Sequence, residues 1–153
     1  MSSCYFIGHR ETHDKILPYI IDAVERLIEE CGVDCFYVGG YGNFDRLAGS
    51  AVVMLKDKYP NIRLYRLIPY HPAERPVKAP KGYDGTYYPP NMEKVPRRFA
   101  IPRANRTMID GSDYLIAYVR HDILSNSYEI LEYARRREKN GLIHVENLAQ
   151  QDE

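Results

Sequence analysis

The chain has no tryptophan, no net charge, few cysteines and no long apolar run, and each shortage excludes something. Lysine plus arginine and aspartate plus glutamate stand equal at 21 each. Phosphate neutralisation needs an excess of cations on some face, so this balance argues against nucleic acid as a constitutive partner; a local basic patch remains compatible with it. No run approaches the roughly 18 apolar residues of a membrane span, so no membrane partner is expected. The start, Met1 to Phe6, lacks the charged and apolar regions of a signal peptide, and a cytoplasmic location is expected. Cys4, Cys31 and Cys35 are odd in number and fall in or beside predicted core elements. Their spacing is no redox or zinc motif, so buried reduced thiols are expected. His9 and His13 stand four apart without a further ligand nearby, and neither a metal nor a cofactor is expected. Nucleophile elbow, Walker loop and zinc-hydrolase motifs are all missing.

What is present is a pair of glycine turns. Ile7-Gly8-His9-Arg10 ends the first apolar run, and Val38-Gly39-Gly40-Tyr41-Gly42-Asn43-Phe44-Asp45 follows the second. Each opens a helix-like pattern. Glycine lets the backbone turn tightly and lets amides approach an anion, and a helix N-terminus favours negative charge. A phosphate-bearing or ribosyl ligand at the edge of a parallel sheet is the expectation. The 14 tyrosines lie largely near turns, where they serve either as amphipathic packing or as platforms for a planar base.

Periodicity organises the rest. Residues 4–7 read as a strand, and Ile16, Ile20, Val24, Leu27, Ile28 and Cys31 recur at helical spacing. Pro18 fits only within the first turn of that helix, and Gly32 suits its C-terminal cap. Strands are predicted at 34–38, 62–68 and 113–119, helices at 44–55, 102–110 and 126–139, and a last strand at 142–145. Between Pro69 and Arg98 lie seven of the ten prolines together with Tyr70, Tyr83, Tyr87 and Tyr88. This insertion, at about 69–98, is expected to be a folded lid. The alternation predicts an α/β fold, a doubly wound and mostly parallel sheet in one Rossmann-like domain over 1–153.

In such sheets ligands bind beyond the carboxyl ends of the strands. Those ends hold Gly8, His9 and Arg10, then Gly39, Gly40, Tyr41 and Gly42, then the insertion, then His121 to Ser127; all four are expected to converge on one cleft. Arg10 is placed to fork onto a phosphate or carboxylate, or else to pair with Asp45 or Asp113. Asp45 can accept from ribose hydroxyls or simply favour its helix N-terminus. Arg103, Arg106 and Asp110 share a helix face, with Asn105 beside them, and that face points either to solvent or into the cleft. Ser125, Asn126 and Ser127 can cap the last helix or hold a phosphate. Glu129 and Glu132 are the candidates for acid–base work, against a surface role for each.

These motifs resemble the YpsA-like branch of the SLOG superfamily, which groups DprA-like proteins with the LOG phosphoribohydrolases. The likeness runs through Ile7–Arg10, Gly39–Asp45 leading to Leu55-Lys56 and Tyr59-Pro60, Arg103–Asp113 and Glu132-Tyr133-Ala134. It implies a Rossmann-like fold, a cleft for nucleotide-derived molecules lined by Gly8, Arg10, Gly39, Gly40, Gly42, Asp45, Arg103 and Arg106, and a homo-oligomer. Where relatives carry a glycine pair before the last helix, this chain has Ser125-Asn126-Ser127. That departure weakens the case for phosphoribohydrolase chemistry, in which Glu132 would match the catalytic residue, more than the case for binding. The leading expectation is therefore a sensor or sequestering protein for an ADP-ribose-, NAD-related or cyclic-nucleotide signal, possible settings being immune signalling or its evasion. The alternative is a hydrolase of an N-glycosidic or phosphate linkage. DprA-like binding of single-stranded DNA is disfavoured by the neutral charge.

Overall fold

Both faces of a parallel sheet are covered, and a two-residue alternation in the central strands decides which side chain serves which face. The computed structural model describes residues 2–151. Its elements are β1 (Ser3–Gly8), α1 (Leu17–Cys31), β2 (Cys35–Val38), α2 (Asn43–Leu55), β3 (Arg63–Leu67), β4 (Gly85–Tyr87), α3 (Ala100–Gly111), β5 (Tyr114–Tyr118), α4 (Asn126–Lys139) and β6 (His144–Asn147). The six strands run in the order β4-β3-β2-β1-β5-β6, every neighbouring pair parallel. This is the expected Rossmann-like α/β architecture.

Along β1, Cys4 and Phe6 enter one core with Ile20 and Val24 of α1 and Leu47, Ala48 and Val52 of α2. Tyr5 and Ile7 enter the opposite core with Ala104 and Ile109 of α3 and Leu131 and Ala134 of α4. In β5, Ile116 and Tyr118 join the first core, Leu115 and Ala117 the second. Strands buried on both faces read as continuous apolar runs, which is why β1 and β5 stand out in the sequence. Local signals set the helix ends. Pro18 sits in the first turn of α1, and Gly32 closes it in the left-handed region with φ 69°.

Beyond shifts of one residue at several ends, three features differ from the sequence reading. Helix α3 begins at Ala100, so Pro102 is not its first residue. Strand β6 starts two residues later than expected, because Gly141 (φ 73°) turns the chain and Ile143 is buried before pairing begins. The insertion is no simple lid: Gly85–Tyr87 adds an edge strand beside β3, and Tyr70, Tyr87, Tyr88 and Met92 pack on the second core. Three residues headed by glycine and followed by Tyr88 and two prolines give too short a pattern to announce a strand. Among the described residues no helix is long and apolar enough to cross a membrane. Cys4 and Cys35 are buried as free thiols, whereas Cys31, at the end of α1, is exposed.

Candidate functional site

Strand order reverses between β1 and β5, since the chain leaves β1 toward β2 on one side and β5 lies on the other. A crevice beyond the carboxyl ends of the strands is the usual binding place in such sheets. Two side chains hold this crevice together. His9 is buried, and its Nε2 accepts from the Arg120 backbone N–H at 2.8 Å. Its Nδ1 lies 3.2 Å from the Ser125 hydroxyl, so the proton sits on Nδ1 and is shared with Ser125. Burial first, and Arg120 second, hold the imidazole pKa below its ordinary value, which keeps this tautomer neutral. Asn43 does the equivalent on the other side. Its backbone N–H donates to the Arg10 carbonyl at 2.8 Å, and its amide donates to the Thr12 carbonyl and to Asp14. The exits of β1, β2 and β5 are thus fastened to one another.

The first cavity, about 430 Å³, opens at this junction. Gly8 and Arg10 come from the first turn, Tyr41 and Asp45 from the second, Asn105 from α3, and Ser125, Asn126 and Ser127 from the start of α4. Ile7, Ile101 and Ile130 supply apolar wall. Arg10 makes no ion pair among the described residues. Neither expected partner is used: Asp113 accepts from the Ser3 N–H at the opposite end of β1, and Asp45 accepts from the Tyr41 N–H at 2.9 Å. The Tyr41 hydroxyl is buried without a hydrogen-bond partner among the described residues. At the floor, Tyr5 donates its hydroxyl to the Asn105 carbonyl oxygen, leaving the amide NH2 as the donor that Asn105 can offer.

Asp45 is the one carboxylate lining this cavity among the described residues. It is buried, and burial pushes its pKa up to about 6, against the pull of the Tyr41 N–H and of Arg66. A carboxyl so placed exchanges its proton near neutral pH.

The second glycine turn serves a different cavity. Gly39, Gly40 and Gly42 line a neighbouring space of about 610 Å³ with Arg66, Lys81 and Tyr83, and Asp45 belongs to both cavities. These glycines are also points of close packing. A Cβ on Gly8 would stand 2.2 Å from Phe44 Cγ, on Gly42 2.4 Å from Arg10 Cα, on Gly39 2.8 Å from the Tyr41 ring, and on Gly40 1.9 Å from Arg66. They are glycines because the protein's own atoms fill the space, and the Tyr41 amide is already spent on Asp45. Arg10 and the N-terminus of α4 bring positive charge to the first cavity.

Other expected residues fall elsewhere. The Ser127 hydroxyl donates to the Gly8 carbonyl and the Ser125 hydroxyl accepts from His9, so neither caps α4, and Ser125 keeps its own O–H to donate. Arg103 is exposed and lines neither cavity. Arg106 lies over the Tyr133 ring at 5.3 Å, beside a smaller cavity of about 310 Å³ that also takes Glu129. Asp110 accepts from Tyr133 and pairs with Arg137. Glu132 is exposed on α4. Of the first two cavities the insertion reaches the second, through Pro80, Lys81 and Tyr83; others of its residues line separate, smaller spaces. Arg66 is the residue that sequence reasoning passed over as a site group, with the charge in an otherwise apolar run as the available signal, whereas Asn105 was placed beside the polar face of α3. No group of three or more His, Cys, Asp or Glu side chains among the described residues is placed to hold a metal ion.

Fold and geometry together define a Rossmann-like α/β protein with a polar crevice at the point where its strand order reverses. In comparison with known proteins, no family model matches the chain, and no curated protein does so either.

Proposed function

We propose that the protein binds a nucleotide-derived small molecule, of the ADP-ribose or cyclic-nucleotide kind, and acts as its sensor or sequestering partner. One observation carries the reading: an arginine without an ion pair and a helix N-terminus line the same cavity at the strand-order reversal, beside Tyr41, whose hydroxyl is buried and unpartnered among the described residues. Arg10 and the first amides of α4 suit a phosphate, since guanidinium forks onto phosphate oxygens and helix N-termini favour anions. The isoleucine walls suit a base or ribose, and a volume of about 430 Å³ lies within the usual range for small-molecule sites. The motif resemblance to SLOG proteins supports the same ligand class. The test is calorimetry with AMP, ADP-ribose and cyclic dinucleotides on the wild type and on Arg10→Gln. Binding to the wild type that weakens roughly 10–100-fold in the variant is expected from loss of a charged hydrogen-bond donor. No binding at high micromolar concentration to any of them removes the reading.

A second reading, hydrolysis of an N-glycosidic bond, is favoured by Asp45, whose pKa of about 6 suits proton transfer near neutrality. Nucleotide recovered unchanged after long incubation excludes it. Turnover that disappears in Asp45→Asn while binding persists would establish it.

A further inference from the structure

The second cavity has its own cations, two of which, Arg66 and Lys81, form no ion pair among the described residues. Arg66, on β3, lies under Gly40 so closely that any Cβ there would meet its guanidinium. Its Nε is buried without a hydrogen-bond partner, and it forms no ion pair among the described residues. Lys81, from the insertion, is exposed at the same cavity and also unpaired there. Arg46 contributes less, because Asp14 at 2.9 Å and Asn43 already hold it. The facing carboxylate is Asp45, shared with the first cavity. Leu17, Val53, Met54 and Tyr83 complete the walls. An anion in the cavity would give the Arg66 guanidinium the charged partner that it lacks among the described residues. The two cavities, of about 430 and 610 Å³, share Asp45 in their linings, and a ligand with two ends would have to reach past it.

We propose that this second cavity is an anion subsite, in which Arg66 and Lys81 hold a phosphoryl group of a two-ended, pyrophosphate-linked nucleotide whose other end occupies the first cavity. The subsite rests on the nucleotide reading for its ligand but on different residues for its chemistry, so the two can fail separately. The experiment is calorimetry with inorganic pyrophosphate, AMP and ADP-ribose on the wild type, Arg66→Gln, Lys81→Gln and Arg10→Gln. Pyrophosphate is expected to bind the wild type, to weaken roughly 10–100-fold in Arg66→Gln and to weaken less in Lys81→Gln; a loss in Arg10→Gln alone would place it in the first cavity and overturn the subsite. ADP-ribose is expected to bind tighter than AMP, with the advantage lost in Arg66→Gln. Lys81→Gln changes an exposed side chain and decides the question if Arg66→Gln fails to fold.

Pyrophosphate that does not bind the wild type, or binds all variants equally, overturns the subsite. AMP and ADP-ribose binding equally, with no effect of Arg66→Gln, overturns it while leaving the nucleotide reading intact. Arg66-dependent pyrophosphate binding without any nucleotide binding keeps the anion subsite and removes the nucleotide reading.

Discussion

Replacing Asp45 by asparagine isolates what the protein loses by keeping a carboxyl buried between two cavities. Folding raises this group from its ordinary 3.8 to about 6. The corresponding free energy is about 3 kcal/mol, at 1.36 kcal/mol for each tenfold change in proton affinity. The sign follows from proton counting. Between about pH 4 and pH 6 the folded state holds more protons than the unfolded state, so wild-type stability falls as pH rises through that window. Above it the whole penalty is present, and below it the penalty is gone. Asparagine carries no charge and escapes it. It also exchanges one acceptor oxygen for an NH2 group in a buried site, at a cost of about 1–2 kcal/mol. The net expectation is a gain of about 1–2 kcal/mol near pH 7.5. For a chain of 153 residues this raises Tm by about 3–6 °C, given about 2 cal/mol/K of unfolding entropy per residue. Scanning calorimetry of both proteins from about pH 3.5 to pH 7.5 checks this. The difference should reverse at the acid end, to a loss of about 1–2 kcal/mol, because only the acceptor cost remains there. A lower Tm for Asp45→Asn near pH 7.5, or a gain that ignores pH, would refute the reasoning, since either means that the charged carboxylate is not penalised where it lies.

Other consequences follow from the same geometry. Gly8→Ala places a methyl 2.2 Å from Phe44 Cγ, and urea denaturation should show a loss of about 1–3 kcal/mol or more; an effect below about 0.5 kcal/mol contradicts the packing account of this glycine. His9 has its pKa lowered on folding by burial and Arg120, so stability should fall as pH drops below the unfolded value of about 6.5. That slope should vanish in His9→Gln, measured in the Asp45→Asn background so that the opposite slope of Asp45 does not mask it. Within the insertion, residues 71–78 are exposed whereas Tyr87, Tyr88 and Met92 pack on the core, so trypsin should cut after Lys78 and Lys81. Pyrophosphate should slow those cuts if Lys81 holds it, and equal rates with and without it would count against that contact.

The sheet was legible because β1 and β5 are apolar on both faces and because glycine and proline mark the helix ends, as Gly32 and Pro18 do. Parallel order followed from the alternation of elements alone. The site was legible as a region but not as a mechanism of recognition. Glycines after a strand signal a tight approach, yet the sequence does not say what approaches; at Gly8 and Gly40 it is Phe44 and Arg66. Hydroxyls at a helix start signal a cap or a phosphate, yet Ser125 and Ser127 instead fasten α4 to β1. Arg103 and Arg106 share a helix face with spacing that fits a cleft equally well, and only the rotation of α3 shows that Asn105 enters it while they do not. Pairings across about a hundred residues, such as Tyr5 to Asn105 or His9 to Arg120, leave no local pattern to read.

A crystal structure grown with ADP-ribose tests the central claim most directly. Continuous density is expected over the β1–β5 reversal, with one phosphate against Arg10 and the start of α4 and the chain of the ligand passing Asp45 toward Arg66. Density confined to the outer surface, or a crevice filled by the protein's own side chains at saturating ligand, would contradict it.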